Sequence, residues 1–169
     1  RAGCKTKDGA LWFGGDWPRL DIWKNGHFTY YTLHSMPPFG SVRTILCADN
    51  GDLWIGTSSG LIRLRDVHEQ RLSTSNGLPD DRIFSLMQSR DGSIWIGTDD
   101  GFARLRNGEI ESFRSRDGLS QSAVYALFED SEGGLWAGTK NGLNQFLDGR
   151  SIPYTESEGV PSNNTGPVL

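Results

Sequence analysis

The stretch Gly92–Gly101, GSIWIGTDDG, sets a tryptophan between two isoleucines and follows it at once with glycine and threonine. The phrase recurs as GDLWIGTSSG from Gly51 and GGLWAGTKNG from Gly133, with a fainter copy, GALWFGGDWP, from Gly9. A catalytic motif has little reason to appear four times in 169 residues, whereas a structural unit does. With the indole as marker, Trp12, Trp54, Trp95 and Trp136 are spaced by 42, 41 and 41 residues. Leu78, Leu119 and Val160 each follow their tryptophan by 24 residues, and Pro37 takes that place at 25, so the first unit carries one extra residue. Two markers in one register identify a tandem repeat.

Within the third unit the strand signals are plain. RIFSLMQS (Arg82–Ser89) is apolar enough to be buried on both faces, and SIWIGT (Ser93–Thr98), FARLR (Phe102–Arg106) and EIESFR (Glu109–Arg114) follow across RDG, DDG and NG turns. Such turns favour tight hairpins because glycine, and less readily asparagine or aspartate, accepts positive φ. No segment shows a sustained helical period. Four short antiparallel strands per unit of about 41 residues predict an all-β fold, a β-propeller. The expected blades are 1–41 (with an incomplete innermost strand), 42–82, 83–123 and 124–164, and residues 165–169 begin a further innermost strand.

The repeated residues then acquire structural readings. Both parities of LWIGT are apolar, as a sheet covered on both faces requires. Trp12, Trp54, Trp95 and Trp136 are read as spacers between blades, each ring burying roughly 150–250 Å². Gly56, Gly97 and Gly138 leave room for a close neighbour. Thr44, Ser85 and Ala126 keep the centre of the innermost strand small, and Trp23, aligned with Leu64 and Leu105, is read as core.

GLPDDRIFSLMQSRDGSIWIGTDDGFARL resembles the two-component regulator propeller repeat, with its GL…I…DG-x-LWIGT-x-x-GL-x-R signature, and GLSQSAVYALFEDSEGGLWAGTKNGLNQF matches equally well. The resemblance extends over essentially the whole chain. The first unit departs from it, with Phe13-Gly14-Gly15 and DWPRL where Ile-Gly-Thr and the SSGL hairpin are expected. Sialidase-type boxes and Trp-Asp repeats do not fit, because Asp91 and Gly92 are adjacent and no Gly-His/Trp-Asp pair occurs. What the resemblance implies is a sensor region on the periplasmic or extracellular side of a bacterial inner-membrane receptor. It stands before a membrane span and a histidine kinase or other signalling output, and in several such receptors it senses saccharides.

Composition adds exclusions. A formal net charge of −4 gives no electrostatic reason to bind nucleic acid. No apolar run has spanning length and no signal-peptide pattern occurs. Cys4 and Cys47 are read as two buried apolar thiols, since two cysteines make no disulfide framework. His27, His34 and His68 lack metal-ligand spacing and belong on outer strands or loops. No nucleophile elbow or phosphate-binding loop appears, so neither catalytic residues, metal nor cofactor are expected of this segment. The acidic pairs Asp80–Asp81, Asp99–Asp100 and Glu129–Asp130 fall in or beside repeated turns and are read as solvated turn residues.

In a repeat protein the positions that recur serve the fold, and the positions that differ are free to bind. The non-recurring residues fall in the loops entering each innermost strand and in the second-to-third-strand hairpins. They supply the candidate ligand-binding set Trp17, Arg19, Phe39, Asp80, Asp81, Arg82, Gln121, Asn163 and Asn164, whose charges, amides and aromatic faces suit sugar recognition. Trp17 could instead cover the end of the array. The leading expectation is a ligand-binding module; the alternatives are a protein-interaction or dimerisation scaffold and, less favoured, a polysaccharide lyase or hydrolase. A fragment of a longer array is expected rather than a closed four-bladed ring. Its partners would be an oligosaccharide or other small ligand, further blades and signalling domains of the same parent chain, and a second copy, because uncovered terminal blades should self-associate.

Overall fold

The computed structural model describes residues 2–119, 123–147 and 150–160. The chain forms four antiparallel four-stranded sheets in which consecutive strands are neighbours. Blade 1 holds β1 (Ala2–Lys5), β2 (Leu11–Gly14), β3 (Arg19–Lys24) and β4 (His27–Thr32); blade 2 holds β5 (Val42–Cys47), β6 (Leu53–Thr57), β7 (Gly60–Arg65) and β8 (His68–Leu72). Blade 3 holds β9 (Ile83–Gln88), β10 (Ile94–Thr98), β11 (Gly101–Arg106) and β12 (Glu109–Phe113). Blade 4 holds β13 (Val124–Glu129), β14 (Leu135–Thr139), β15 (Gly142–Leu147) and β16 (Arg150–Tyr154). The first strands β1, β5, β9 and β13 run side by side, which places them innermost and the fourth strands at the rim. The only helical pieces among the described residues are single 3₁₀ turns in the inter-blade loops, such as Thr74–Asn76.

Blades stack through three apolar layers. Leu20, Leu33, Val42, Ile45, Ile55 and Ile62 fill the layer between blades 1 and 2, with Trp12 packed against it. Trp54 joins Leu61, Leu78, Ile83, Ile96 and Leu105 between blades 2 and 3. Trp95 joins Phe102, Leu119, Val124, Leu135 and Ala137 between blades 3 and 4. Trp54 and Trp95 are only 5% and 7% exposed. Each ring therefore lies between its own sheet and the next. No blade follows Trp136 among the described residues; it is half-buried, packs on Tyr154 at 5.5 Å, and its indole N–H donates to Asp130 Oδ2 at 2.8 Å.

The glycine after the tryptophan is a notch. A Cβ on Gly56 would lie 2.5 Å from Thr44 Cγ2 in its own sheet and 2.6 Å from Ile83 Cγ2 in the next. On Gly14 it would lie 2.7 Å from Val42 Cβ, and on Gly97 2.7 Å from the Val124 carbonyl oxygen. Val42, Ile83 and Val124 open the successive innermost strands, so each sheet seats the first residue of the one that follows. The threonine after the notch closes the hairpin: Thr57, Thr98 and Thr139, all fully buried, donate to the carbonyls of Gly60, Gly101 and Gly142 at 2.7, 2.9 and 3.0 Å. Gly15 stands in this slot in blade 1, and there the hairpin is longer, running from Gly14 to Arg19 and held by the Arg19 N–H bond to Trp17 O at 2.7 Å.

Two readings are corrected. Cys4 and Cys47 are not free thiols but a disulfide, and no cysteine is free. Their separation of 43 residues is about one repeat, which sets them on adjacent innermost strands with Cα atoms 5.8 Å apart, within the reach of an S–S bond. Trp23 is not enclosed core: it is half-buried on the outer face of blade 1, 4.8 Å from Phe28. Leu64 and Leu105 occupy that slot in blades that have a predecessor; blade 1 presents the face openly.

The four blades do not close on themselves. The open face of blade 1 forms a concavity of about 880 Å³ lined by Leu11, Phe13, Trp17, Asp21 and Phe28 among others. On blade 4 the facing surface is an apolar groove of about 280 Å³ formed by Ala126, Leu127, Phe128, Trp136, Gly138 and Leu143.

Candidate functional site

Strand order fixes which loops share an end of the array. Loops entering the innermost strands and the second-to-third-strand hairpins lie together, and the remaining hairpins lie at the other end. Trp17 and Phe39 are on the first end and are 68% and 95% exposed. Asp80, Asp81 and Arg82 are there too, but their charges are engaged within the protein. Asp80 Oδ1 accepts the Arg82 N–H at 2.7 Å, and Asp81 Oδ1 accepts the Thr74 N–H at 2.7 Å, which ties the loop to its own 3₁₀ turn. The Arg82 guanidinium pairs with Asp99 and lies 3.5 Å from Asp80. Arg19 opens β3 directly after the Trp17 hairpin, but its side chain turns onto the open face of blade 1, paired with Asp21 at 2.9 Å and set 5.4 Å over the Tyr30 ring. Gln121, Asn163 and Asn164 lie outside the described residues.

The other acidic pairs are likewise absorbed by local structure. Asp100 faces Arg114 at 3.3 Å, and Glu129 Oε2 accepts the Arg90 N–H at 2.9 Å. Asp130 is held below the usual carboxylate range by the Trp136 indole N–H and by backbone N–H groups, Gly134 first among them. No group of three or more His, Cys, Asp or Glu that could hold a metal ion occurs among the described residues.

The structure reveals a feature that the loop comparison missed. Pairing of β5 with β6, β9 with β10 and β13 with β14 shifts register at the second residue of each innermost strand, Arg43, Phe84 and Tyr125. A bulge inserts an unpaired residue and re-aims its side chain. The Arg43 guanidinium lies 5.2 Å over the Phe84 ring, the Phe84 and Tyr125 rings are 4.9 Å apart, and Lys140 Nζ is 5.8 Å from the Tyr125 centroid. Three blades thus contribute one continuous row of cation, two aromatic rings and cation, at the end that also carries Trp17 and Phe39. Phe84 and Tyr125 are half-buried and Arg43 is exposed. Arg43 and Lys140 have no carboxylate partner among the described residues. The sequence did contain the signal: in VRT, IFS and VYA the flanking positions conserve their character while the middle one changes chemistry.

Arg–aromatic and aromatic–aromatic contacts at these distances are attractive. The row can stack the apolar face of a ring-shaped ligand while its two ends attract negative charge.

The family model "Two component regulator propeller" matches residues 37–59, 77–100 and 118–141, the loop and first two strands of blades 2, 3 and 4. No curated protein matches the sequence. Among solved structures, the chain is similar to an extracellular domain assigned to a hybrid two component system of B. thetaiotaomicron, at 19% identity and TM-score 0.79, covering all of this chain and 24% of that one. Virginiamycin B lyase from Staphylococcus aureus is similar at 17% identity and TM-score 0.75, over 99% of this chain and 57% of the lyase. PorZ, a surface component of the type-IX secretion system of Porphyromonas gingivalis, is similar at 16% identity and TM-score 0.70, over 97% of this chain and 28% of PorZ. At these identities the likeness is one of fold, and the chain spans little more than half, or about a quarter, of each relative's length. The matched motif, carried by three blades in one register, is the more specific finding: blades 2, 3 and 4 each match the two component regulator propeller model.

Proposed function

We propose that this chain is a ligand-recognising segment of a sensor propeller working outside the cytoplasm, and that its ligand is a saccharide bearing a carboxylate or sulfate group. The observation that carries the reading is the row Arg43–Phe84–Tyr125–Lys140, which joins an aromatic platform to two uncompensated cations at the end where the loops differ from blade to blade. A sugar ring stacks its C–H face on such rings, and its acid group meets a guanidinium or ammonium. Exposed Trp17 and Phe39 extend the aromatic surface on the same end. Two further findings support the compartment: a disulfide, which persists in oxidising surroundings, and the extracellular domain among the similar structures. No helix among the described residues is long and apolar enough to cross a membrane.

The segment is read as binding rather than catalytic, because every acidic pair accounted for above holds a backbone N–H or an arginine. Isothermal titration with acidic and neutral oligosaccharide pools tests this. Acidic pools are expected to bind, and Phe84→Ala or Arg43→Ala to weaken binding at least about tenfold, the loss of one stacking or charge-assisted contact. Binding that ignores both substitutions, or no heat with any pool, overturns the site. Consumption of the bound glycan overturns the non-catalytic reading. A second reading, an interaction scaffold without small ligand, is favoured by the two uncovered blade faces; titration without heat but with concentration-dependent self-association would select it.

A further inference from the structure

Each blade presents its fourth strand at the rim, and an unpaired edge invites another strand unless charge, proline or distortion discourages it. Three of the four edges are guarded. The β8 sequence HEQRL carries Glu69 and Arg71, β12 (EIESF) carries Glu109 and Glu111, and β16 (RSIPY) carries Pro153, which has no N–H to donate. β4 reads HFTYYT, with no acidic residue, lysine, arginine or proline, and with aromatic and β-branched residues throughout. Phe28 and Tyr30 are 69% and 67% exposed.

The backbone of β4 specifies which groups are open. Its register with β3 pairs Thr32 with Arg19 and His27 with Lys24, and the Leu33 N–H donates to Pro18 O at 2.8 Å. Hydrogen-bonded and non-bonded pairs alternate in an antiparallel ladder. Tyr31, Thr29 and His27 therefore bond to β3, while the N–H and C=O of Phe28, Tyr30 and Thr32 point away from the sheet.

We infer that β4 is a pairing edge whose occupant is β4 of a second copy of this chain, antiparallel across a two-fold axis through Tyr30. In that register Tyr30 faces Tyr30 and Phe28 faces Thr32, all through their free backbone groups, and the two four-stranded sheets become one of eight. Self-complementarity selects a second copy. Pairing β4 with itself sets no like charges opposite each other and places aromatic side chains beside aromatic side chains, a favourable cross-strand arrangement. The same operation on β12 would crowd Glu109 and Glu111, and on β16 it would forfeit a donor. A blade stacked on the open face of blade 1 would cover the Phe28 and Tyr30 rings but leave this edge at the rim. The inference does not rest on ligand binding.

Sedimentation equilibrium of the chain with its native disulfide intact should show a monomer–dimer equilibrium. Tyr30→Pro removes an N–H that β3 does not use, at an edge position that tolerates proline, and Tyr30→Lys adds the missing guard. Each should raise the dimer dissociation constant at least about tenfold, circular dichroism confirming the fold. Tyr30→Cys should form a covalent dimer on oxidation, because paired residues there would bring their Cα atoms to about 5.5 Å; Phe28→Cys should not. A chain that stays monomeric at all concentrations overturns the inference. So does a dimer that both Tyr30 variants leave intact and Phe128→Asp, in the blade 4 groove, dissolves.

Discussion

Breaking the Cys4–Cys47 bond should release blade 1 from its neighbour. The bond closes a loop of 43 residues between the innermost strands of blades 1 and 2. Chain-entropy arithmetic for a loop of that length gives about 4 kcal/mol of stabilisation at 25 °C, through restriction of the unfolded chain. For a chain of this size, that corresponds to a fall in melting temperature of roughly 10 °C if the molecule melts as one unit. Blades interact mainly with their neighbours, however, so the loss should concentrate at one end. The Cys4→Ser/Cys47→Ser double variant, or the reduced wild type, should show faster amide exchange through blade 1, with blades 3 and 4 little changed. Differential scanning calorimetry with hydrogen exchange read by mass spectrometry measures both quantities. An unchanged melting temperature together with unchanged exchange in blade 1, in a sample shown by thiol titration to be reduced, would refute the reasoning.

Gly97→Ala should cost about 1–3 kcal/mol, because the added carbon meets a backbone oxygen of Val124 that cannot move without shifting blade 4; chemical denaturation measures it, and a neutral result would mean that the blades are not in close register there. Glu69 links blades 1 and 2, accepting bonds from Ser35 Oγ at 2.5 Å, Ser35 N at 2.8 Å, His34 N at 3.0 Å and Tyr31 Oη at 3.0 Å. Burial alone would raise its pKa, but the Ser35 hydroxyl and the other donors outweigh it and hold the carboxyl below the ordinary glutamate value. A depressed folded-state pKa contributes stability at neutral pH that is lost as the pH falls through that value. Glu69→Gln should therefore cost about 1–3 kcal/mol at pH 7 and flatten the acid limb of the stability profile; equal pH dependence in both proteins would exclude the link.

The fold was legible because its determinants are local. The unbroken apolar run in LWIGT, an Asn107-Gly108 turn with both residues at positive φ, and a 41-residue period all survive in a one-dimensional reading. The four strands anticipated for the third unit differ from those observed by a residue or so at their ends. What stayed hidden depended on neighbours in space. Nothing in the spacing of Cys4 and Cys47 marks them as partners until innermost strands of successive blades are known to run side by side. Trp23 occupies a core slot by alignment, and its surroundings are fixed by whether a sheet precedes it. The Arg43–Phe84–Tyr125 row needs both the bulge, which no turn residue announces, and the stacking of three blades. Asp80, Asp81 and Arg82 share one loop, yet the partners that engage them, the Arg82 N–H, the Thr74 N–H and Asp99 respectively, could not be read from adjacency.

The notch at Gly14, Gly56 and Gly97 has a temporal side as well. Because each sheet is filled by the residue that begins its successor, none is finished when its own last strand has emerged from the ribosome. Completion of each of these sheets therefore lags by one innermost strand as the chain emerges.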